Sequence, residues 1–267
     1  MDETMSRGPL LAAGSKARRR LNHFLLPLRY YVMSRRCERN GVANGLPVPP
    51  RELTFLVGGG YNLERNLKNG ILSAGAIRRS LSKNGLALED FHDILDFGCG
   101  PGRILRNWGH LQANVYGTDY NRKSIEWCEK NLSFATFAVN DLEPPTSWPD
   151  AKFDFIYAFS VFTHLGEDLQ RAWLSELRRI LRVGGYLMLT IHGQAYFGTL
   201  SPAEQKEFSE GLLVVQGQSK AGTNSCGVYH PEAWIRRNLT EGFQVVDHIP
   251  EGATGTGTQD ILLLQKR

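Results

Sequence analysis

The sequence predicts a doubly wound α/β fold: a Rossmann-like, mostly parallel sheet with helices on both faces and a last strand running antiparallel. Three observations carry this. From about residue 71, short apolar runs alternate with amphipathic stretches, the pattern of repeated βα units. The first buried run ends in Asp96-Phe97-Gly98-Cys99-Gly100-Pro101-Gly102-Arg103, a glycine loop that lets the chain turn sharply at a strand's carboxyl end. The last two runs are joined by the Gly/Thr-rich stretch 251–258 with no helix between them, so they form a terminal hairpin.

The elements follow in order. DILDF (93–97) is a short buried strand, and 103–111 is expected to be a helix. NVYGT (114–118) is a strand, after which Asn121 caps a helix ending near Asn131. Residues 134–139 and 153–159 make the third and fourth strands. Residues 168–181 form an amphipathic helix with Leu169, Ala172, Trp173, Leu177, Ile180 and Leu181 on one face. Gly184-Gly185 is expected to close it. Residues 186–191 are the fifth strand, 231–239 a helix opening with Pro231, and 243–249 and 259–265 the last two strands, seven in all.

Composition bounds the rest. The chain has 267 residues, 42% hydrophobic and 22% charged, ample for a continuous apolar core. No apolar run approaches the roughly 18 residues of a spanning helix. Cys37, Cys99, Cys128 and Cys226 contain no C-x-x-C pair, which argues against a zinc ribbon or disulfide framework and for a reducing, cytoplasmic setting. Residues 1–40 carry nine basic and three acidic side chains, leaving 22 basic and 24 acidic in the remainder. The near-neutral body does not indicate a duplex-binding surface, and no duplex nucleic acid partner is expected. Residues 1–49 therefore read as a basic arm and a Pro/Gly linker, and 50–267 as the folded domain. In the arm, Leu21, Phe24, Leu25, Leu28 and Val32 recur at helical spacing among arginines, interrupted by Pro27. Such a helix can pack on its own domain or a second subunit, rest on the inner membrane surface, or touch nucleic acid.

The glycine loop is answered by Asp119 at the end of the second strand, 21 residues beyond Gly98. A carboxylate there can accept from both hydroxyls of a ribose. The dinucleotide pattern G-x-G-x-x-G would need glycine at 103, where Arg103 stands, which disfavours a nicotinamide oxidoreductase.

DFGCGPGR, Asp119 of GTD, NDLEPP, FDFIYAFSVFTHL and LRRILRVGGYLMLTIHG together resemble the successive motifs of class I S-adenosylmethionine-dependent methyltransferases, over about residues 50–267. The resemblance implies a seven-stranded sheet and S-adenosyl-L-methionine as cofactor. It implies that Asp96, Gly98, Cys99, Gly100 and Gly102 surround the methionine part, and that Asp119 holds the ribose. Asp141 and Leu142 would meet the adenine, and Phe159 and Ser160 would line the methionine side. Tyr120 is a neighbour or a sheet-edge aromatic. Residues 50–61 are similar to a lid segment in one bacterial subset, or are a flexible linker.

Three histidines fall where the substrate pocket of that family opens: His164 after the fourth strand, His192 ending the fifth, and His230 after the 193–230 insertion. Each is a candidate general base, since imidazole titrates near neutrality, or a brace for its loop. Histidines converging with Asp260 also suit a divalent metal, but no H-x-x-x-H or H-E-x-x-H spacing supports one and no metal ligand is assigned. The polar, glycine-dotted insertion reads as a loop arched over a hydrophilic acceptor, with Tyr196, Phe197 and Tyr229 either stacking on a sugar ring or anchoring the loop, and Gln259 and Asp260 facing the acceptor. SVFTHL, TIHG, YHPEAW and GTGTQD are similar to bacterial methyltransferases associated with cell-surface glycan synthesis. That resemblance implies O-methylation of a sugar or glycan. A lipid or small natural product at the membrane, or a non-catalytic cofactor-binding module, are the alternatives, and a homo-oligomer fits either.

Overall fold

The computed structural model describes residues 42–43, 45–58 and 62–267. The expected arm helix around Leu21–Val32 lies outside the described residues, as do Gly59–Tyr61 of the expected lid.

Two helices, α1 (Arg51–Gly58) and α2 (Leu63–Lys83), precede the sheet. Asn62 caps α2 by accepting from the Arg65 N–H at 2.9 Å. Glycines and polar residues dilute the apolar periodicity of α2, so the sequence pattern gave no helix there. The buried face of α2 mixes Leu63, Ile77 and Leu81 with small residues, Gly70, Ser73, Ala74 and Ser80, that admit close packing. A Cβ on Gly70 would lie 2.2 Å from the Arg103 carbonyl oxygen.

The sheet is built from β1 (Asp93–Phe97), β2 (Asn114–Asp119), β3 (Ala135–Val139), β4 (Phe153–Ala158), β5 (Leu181–Ile191), β6 (Phe243–Ala253) and β7 (Gln259–Lys266). Its order is β6-β7-β5-β4-β1-β2-β3, with β7 antiparallel to both neighbours and the remaining pairs parallel. The strand order reverses between β1 and β4, where ligands bind in open α/β sheets. On one face α2 and α3 (Arg122–Asn131) bury Ile77, Leu81, Ile125 and Cys128. On the other, α4 (Glu167–Ile180) buries Trp173, Leu177 and Ile180, beside Trp234 and Ile235 of a helix that follows the insertion. Each such side chain contributes on the order of 1.5–3 kcal/mol by leaving water.

Three local expectations are corrected. Residues 103–111 do not form a regular helix, only turns around a short 3-10 segment, Leu105–Asn107. Gly98, Gly100 and Gly102 all adopt positive φ. The Asn107 amide donates to the Ile104 and Arg103 carbonyls at 2.8 and 3.3 Å, taking acceptors a helix would need. Second, Gly184-Gly185 does not cap α4, which ends at Ile180; β5 starts directly at Leu181. The two glycines sit in an irregular stretch of β5, where Phe153 pairs with Leu181 but Phe155 with Tyr186. Third, the insertion is a folded unit rather than an open loop. It holds a 3-10 segment (Gln194–Thr199), α5 (Pro202–Ser209) and a ribbon pairing Val214–Gln216 with Gly227–Tyr229. Leu200, Phe208 and Val214 form its small core. The Ser201–Glu204 capping box was the available signal. The chain then enters α6 (Glu232–Asn238), with Pro231 as N-cap, and the β6–β7 hairpin.

Candidate active site

A solvent-open cavity enclosing about 990 Å³ of empty space lies at the carboxyl ends of β1–β4. Ten of the eleven residues expected on the cofactor side line it: Asp96, Gly98, Cys99 and Gly100 after β1, Asp119 and Tyr120 after β2, Asp141 and Leu142 after β3, Phe159 and Ser160 after β4. Gly102 does not. Its φ of +72° turns the chain, and a Cβ there would meet Leu132 at 2.5 Å, so it serves helix packing. Sequence reasoning missed Trp173, Gly222 and Asn224 in the lining. Trp173 reaches the site because its Nε1 donates to the Leu142 carbonyl at 2.9 Å.

Asp119 is fixed by backbone: its two oxygens accept from the N–H groups of Gly100 and Asn121, each at 2.8 Å. Burial raises its pKa and those two bonds oppose the rise. Each oxygen keeps lone-pair capacity for a further donor. Asp96 is different. Burial pushes its pKa up to about 7, against a hydrogen bond from Tyr157 and the charge of Arg103. Its Oδ2 is buried without a partner, a demand for a donor that a ligand would meet. Burial also pushes the Cys99 thiol up, so this cysteine lines the cavity as a neutral thiol.

The insertion covers part of the mouth. Tyr120 donates to the Gly222 carbonyl at 2.8 Å, and the Gly222 N–H donates to the His164 carbonyl at 2.8 Å. The His164 ring is held from the same segment, with Nδ1 2.6 Å from the Cys226 carbonyl oxygen. A carbonyl only accepts, so Nδ1 carries the proton and Nε2 keeps the lone pair. His164 lines the cavity. Burial lowers its pKa, leaving it neutral near pH 7.

His192 stands behind it, with ring centroids 6.4 Å apart and nearly perpendicular. Nδ1 of His192 lies 3.1 Å from the Val228 carbonyl oxygen. Its pKa falls to about 4 through burial and the neighbouring His164. Tyr196 and Tyr229 flank the His192 ring at centroid distances of 4.2 and 5.2 Å.

The remaining expected residues turn inward. His230 is 1% exposed, with Nε2 3.1 Å from the Gln170 amide oxygen; burial takes its pKa to about 3. It is a buried brace, outside the cavity lining. Asp260, expected to face an acceptor, instead accepts from His248 Nε2 and the Glu251 N–H, each at 2.9 Å. A Cβ on Gly193 would fall 2.0 Å from its carboxylate. Gln259, expected beside it, is 2% exposed and bonded within the protein. Among the described residues no group of three or more His, Cys, Asp or Glu side chains is arranged to hold a metal ion.

Residues 95–189 match the family model described as a methyltransferase domain. The chain has the Rossmann-like methyltransferase fold, and the family whose model it matches is S-adenosylmethionine-dependent. An uncharacterized methyltransferase of Anoxybacillus flavithermus is 27% identical over 43% of this chain and 56% of its own length. A malonyl-[acyl-carrier protein] O-methyltransferase of Salmonella typhimurium is 30% identical over 44% and 45%. The chain thus spans about half the length of the curated relatives it matches. A solved glycopeptide N-methyltransferase bound to S-adenosyl-L-homocysteine superposes with a TM-score of 0.51 at 17% identity, covering 73% of this chain and 90% of that one. That likeness concerns the methyltransferase fold alone. The donor set fits the cofactor: Asp119 has acceptor capacity for a ribose diol, and the unpartnered Asp96 oxygen suits a cationic amine. Among the described residues no helix is long and apolar enough to cross a membrane.

Proposed function

We propose that the protein transfers a methyl group from S-adenosylmethionine to a hydroxyl of a sugar or glycan acceptor, with His164 as general base. When bound, the cofactor supplies an electrophilic methyl on sulfur. The chain's own task is to place the acceptor oxygen in line, exclude water and take its proton. The observation that carries the reading is the His164 ring: it lines the cavity and is fixed through Nδ1 to the Cys226 carbonyl. Its neutral Nε2 is thereby left as the acceptor. His192 is the weaker candidate, because its pKa lies further below neutrality at about 4 and it is absent from the cavity lining.

A second reading follows from the malonyl-[acyl-carrier protein] O-methyltransferases among the relatives: an acidic acceptor, which needs no base. His164→Gln separates the two. With radiolabelled cofactor and a panel of glycan, polyol and malonyl-carrier acceptors, His164→Gln is expected to lower kcat by about 10²–10⁴ while leaving cofactor affinity intact. Full activity of that variant would overturn the hydroxyl reading.

A further inference from the structure

Ser160 closes β4 at the cavity edge with φ +61°, a left-handed conformation uncommon for a residue with a Cβ. A closed ring of hydrogen bonds holds it there. The Ser160 N–H donates to Thr190 Oγ1 at 2.7 Å, the Thr190 hydroxyl donates to Gln259 Oε1 at 2.7 Å, and Gln259 Nε2 donates back to Ser160 Oγ at 2.9 Å. The ring crosses three adjacent strands, β4, β5 and β7, and Thr190 and Gln259 are both buried. It also fixes the orientation of the amide. Thr190 Oγ1 receives the Ser160 N–H, so its one proton goes to Gln259, and the oxygen of Gln259 must face it. The amide nitrogen is then directed to Ser160, and it lies 3.5 Å from His192 Nε2. His192 has its Nδ1 proton committed to the Val228 carbonyl, so Nε2 faces Gln259 as an acceptor.

We propose that Gln259 is a positioning residue joining the two halves of the site: it holds Ser160 left-handed at the cofactor cavity and orients the His192 ring on the acceptor side. This rests on the methyltransferase reading above and adds a device to it, since occupancy on one side is felt on the other through one rigid amide. Gln259 touches neither ligand in this role. The titratable groups around His192 are His164, His230, Asp260, Tyr196 and Tyr229; Gln259→Glu adds a carboxylate to them, so Thr190→Val, which adds no charge, is the variant that isolates orientation.

The test uses the full chain and needs no acceptor. Gln259→Glu keeps the acceptor for Thr190 but loses the donor toward Ser160 and His192. In this variant the NMR titration midpoint of His192 is expected to rise by a unit or more, and S-adenosyl-L-homocysteine affinity to fall at least fivefold by calorimetry. Thr190→Val, which frees the amide to flip, is expected to change the His192 ¹⁵N shifts and weaken binding in the same direction, whereas Thr190→Ser retains wild-type values. A His192 midpoint and ligand affinity indistinguishable from wild type in folded Gln259→Glu and Thr190→Val would overturn the proposal. Failure of wild-type protein to bind S-adenosyl-L-homocysteine would overturn the functional reading instead, while the His192 titration would still decide the role of Gln259.

Discussion

The two sides of the cavity are held by different kinds of contact. At the ends of β1 and β2 the Asp119 carboxylate is fixed from nearby in the chain, by Asn121, two residues on, and by Gly100, 19 residues back. At the ends of β4, β5 and β7 the side chains are fixed from far away. His164 is held by Cys226 across 62 residues, and Gln259 reaches Ser160 across 99. Local backbone bonds make a site that survives changes elsewhere. A long-range side-chain network makes one that depends on the insertion and the hairpin folding correctly.

The sharpest way to break this comparison is Asp119→Ala. It removes the acceptor of the Gly100 and Asn121 N–H groups together with the proposed ribose contact, at roughly 1.5–3 kcal/mol for hydrogen bonds to a charged group. S-adenosyl-L-homocysteine affinity is expected to fall by about 10–100-fold. An affinity equal to wild type would remove Asp119 from the site.

A smaller effect comes from pH. Burial raises the pKa of Asp96 in the folded chain from the ordinary carboxylate range, near 3.8, to about 7. Its contribution to the stability of the empty protein is therefore present below pH 4 and lost as pH rises toward 7. A cationic amine favours the ionised form, so ligand affinity is expected to increase by about tenfold between pH 6 and pH 8. Asp96→Asn should flatten that rise. His230 shows the opposite sign: its pKa is lowered from 6.5 to about 3. Its neutral form supports the fold above pH 6.5, and that support is lost as pH falls toward 3. His230→Gln is expected to make the denaturation midpoint less sensitive to acid without changing turnover.

The smallest change tests the locally built side. Asn121 accepts from the Ser124 N–H at 3.0 Å and caps α3. Asn121→Ala is expected to cost about 1 kcal/mol in urea unfolding, with no shift in the titration of His192.

The same contrast explains what was legible in the sequence. DILDF, the glycine loop, Asp119 and the Asn121 cap are short-range signals, and ten of the expected cofactor-side residues line one cavity. Helix α2 escaped because Gly70, Ser73, Ala74 and Ser80 interrupt the apolar stripe of Leu63, Ile77 and Leu81 on its buried face. The expected helix after the glycine loop failed because three positive-φ glycines and the Asn107 side chain compete with helical bonding. On the proposed acceptor side, residue type and position brought Gln259, Asp260 and His230 to notice, but not their direction. Asp260 is claimed by His248 and His230 by Gln170, pairings that no spacing encodes.

The most direct measurement is a calorimetric titration of the folded, ligand-free full chain with S-adenosyl-L-homocysteine, beside NAD under the same conditions. The account predicts saturable binding of one S-adenosyl-L-homocysteine per chain and none of NAD. No binding of S-adenosyl-L-homocysteine, or equal binding of NAD, would contradict it.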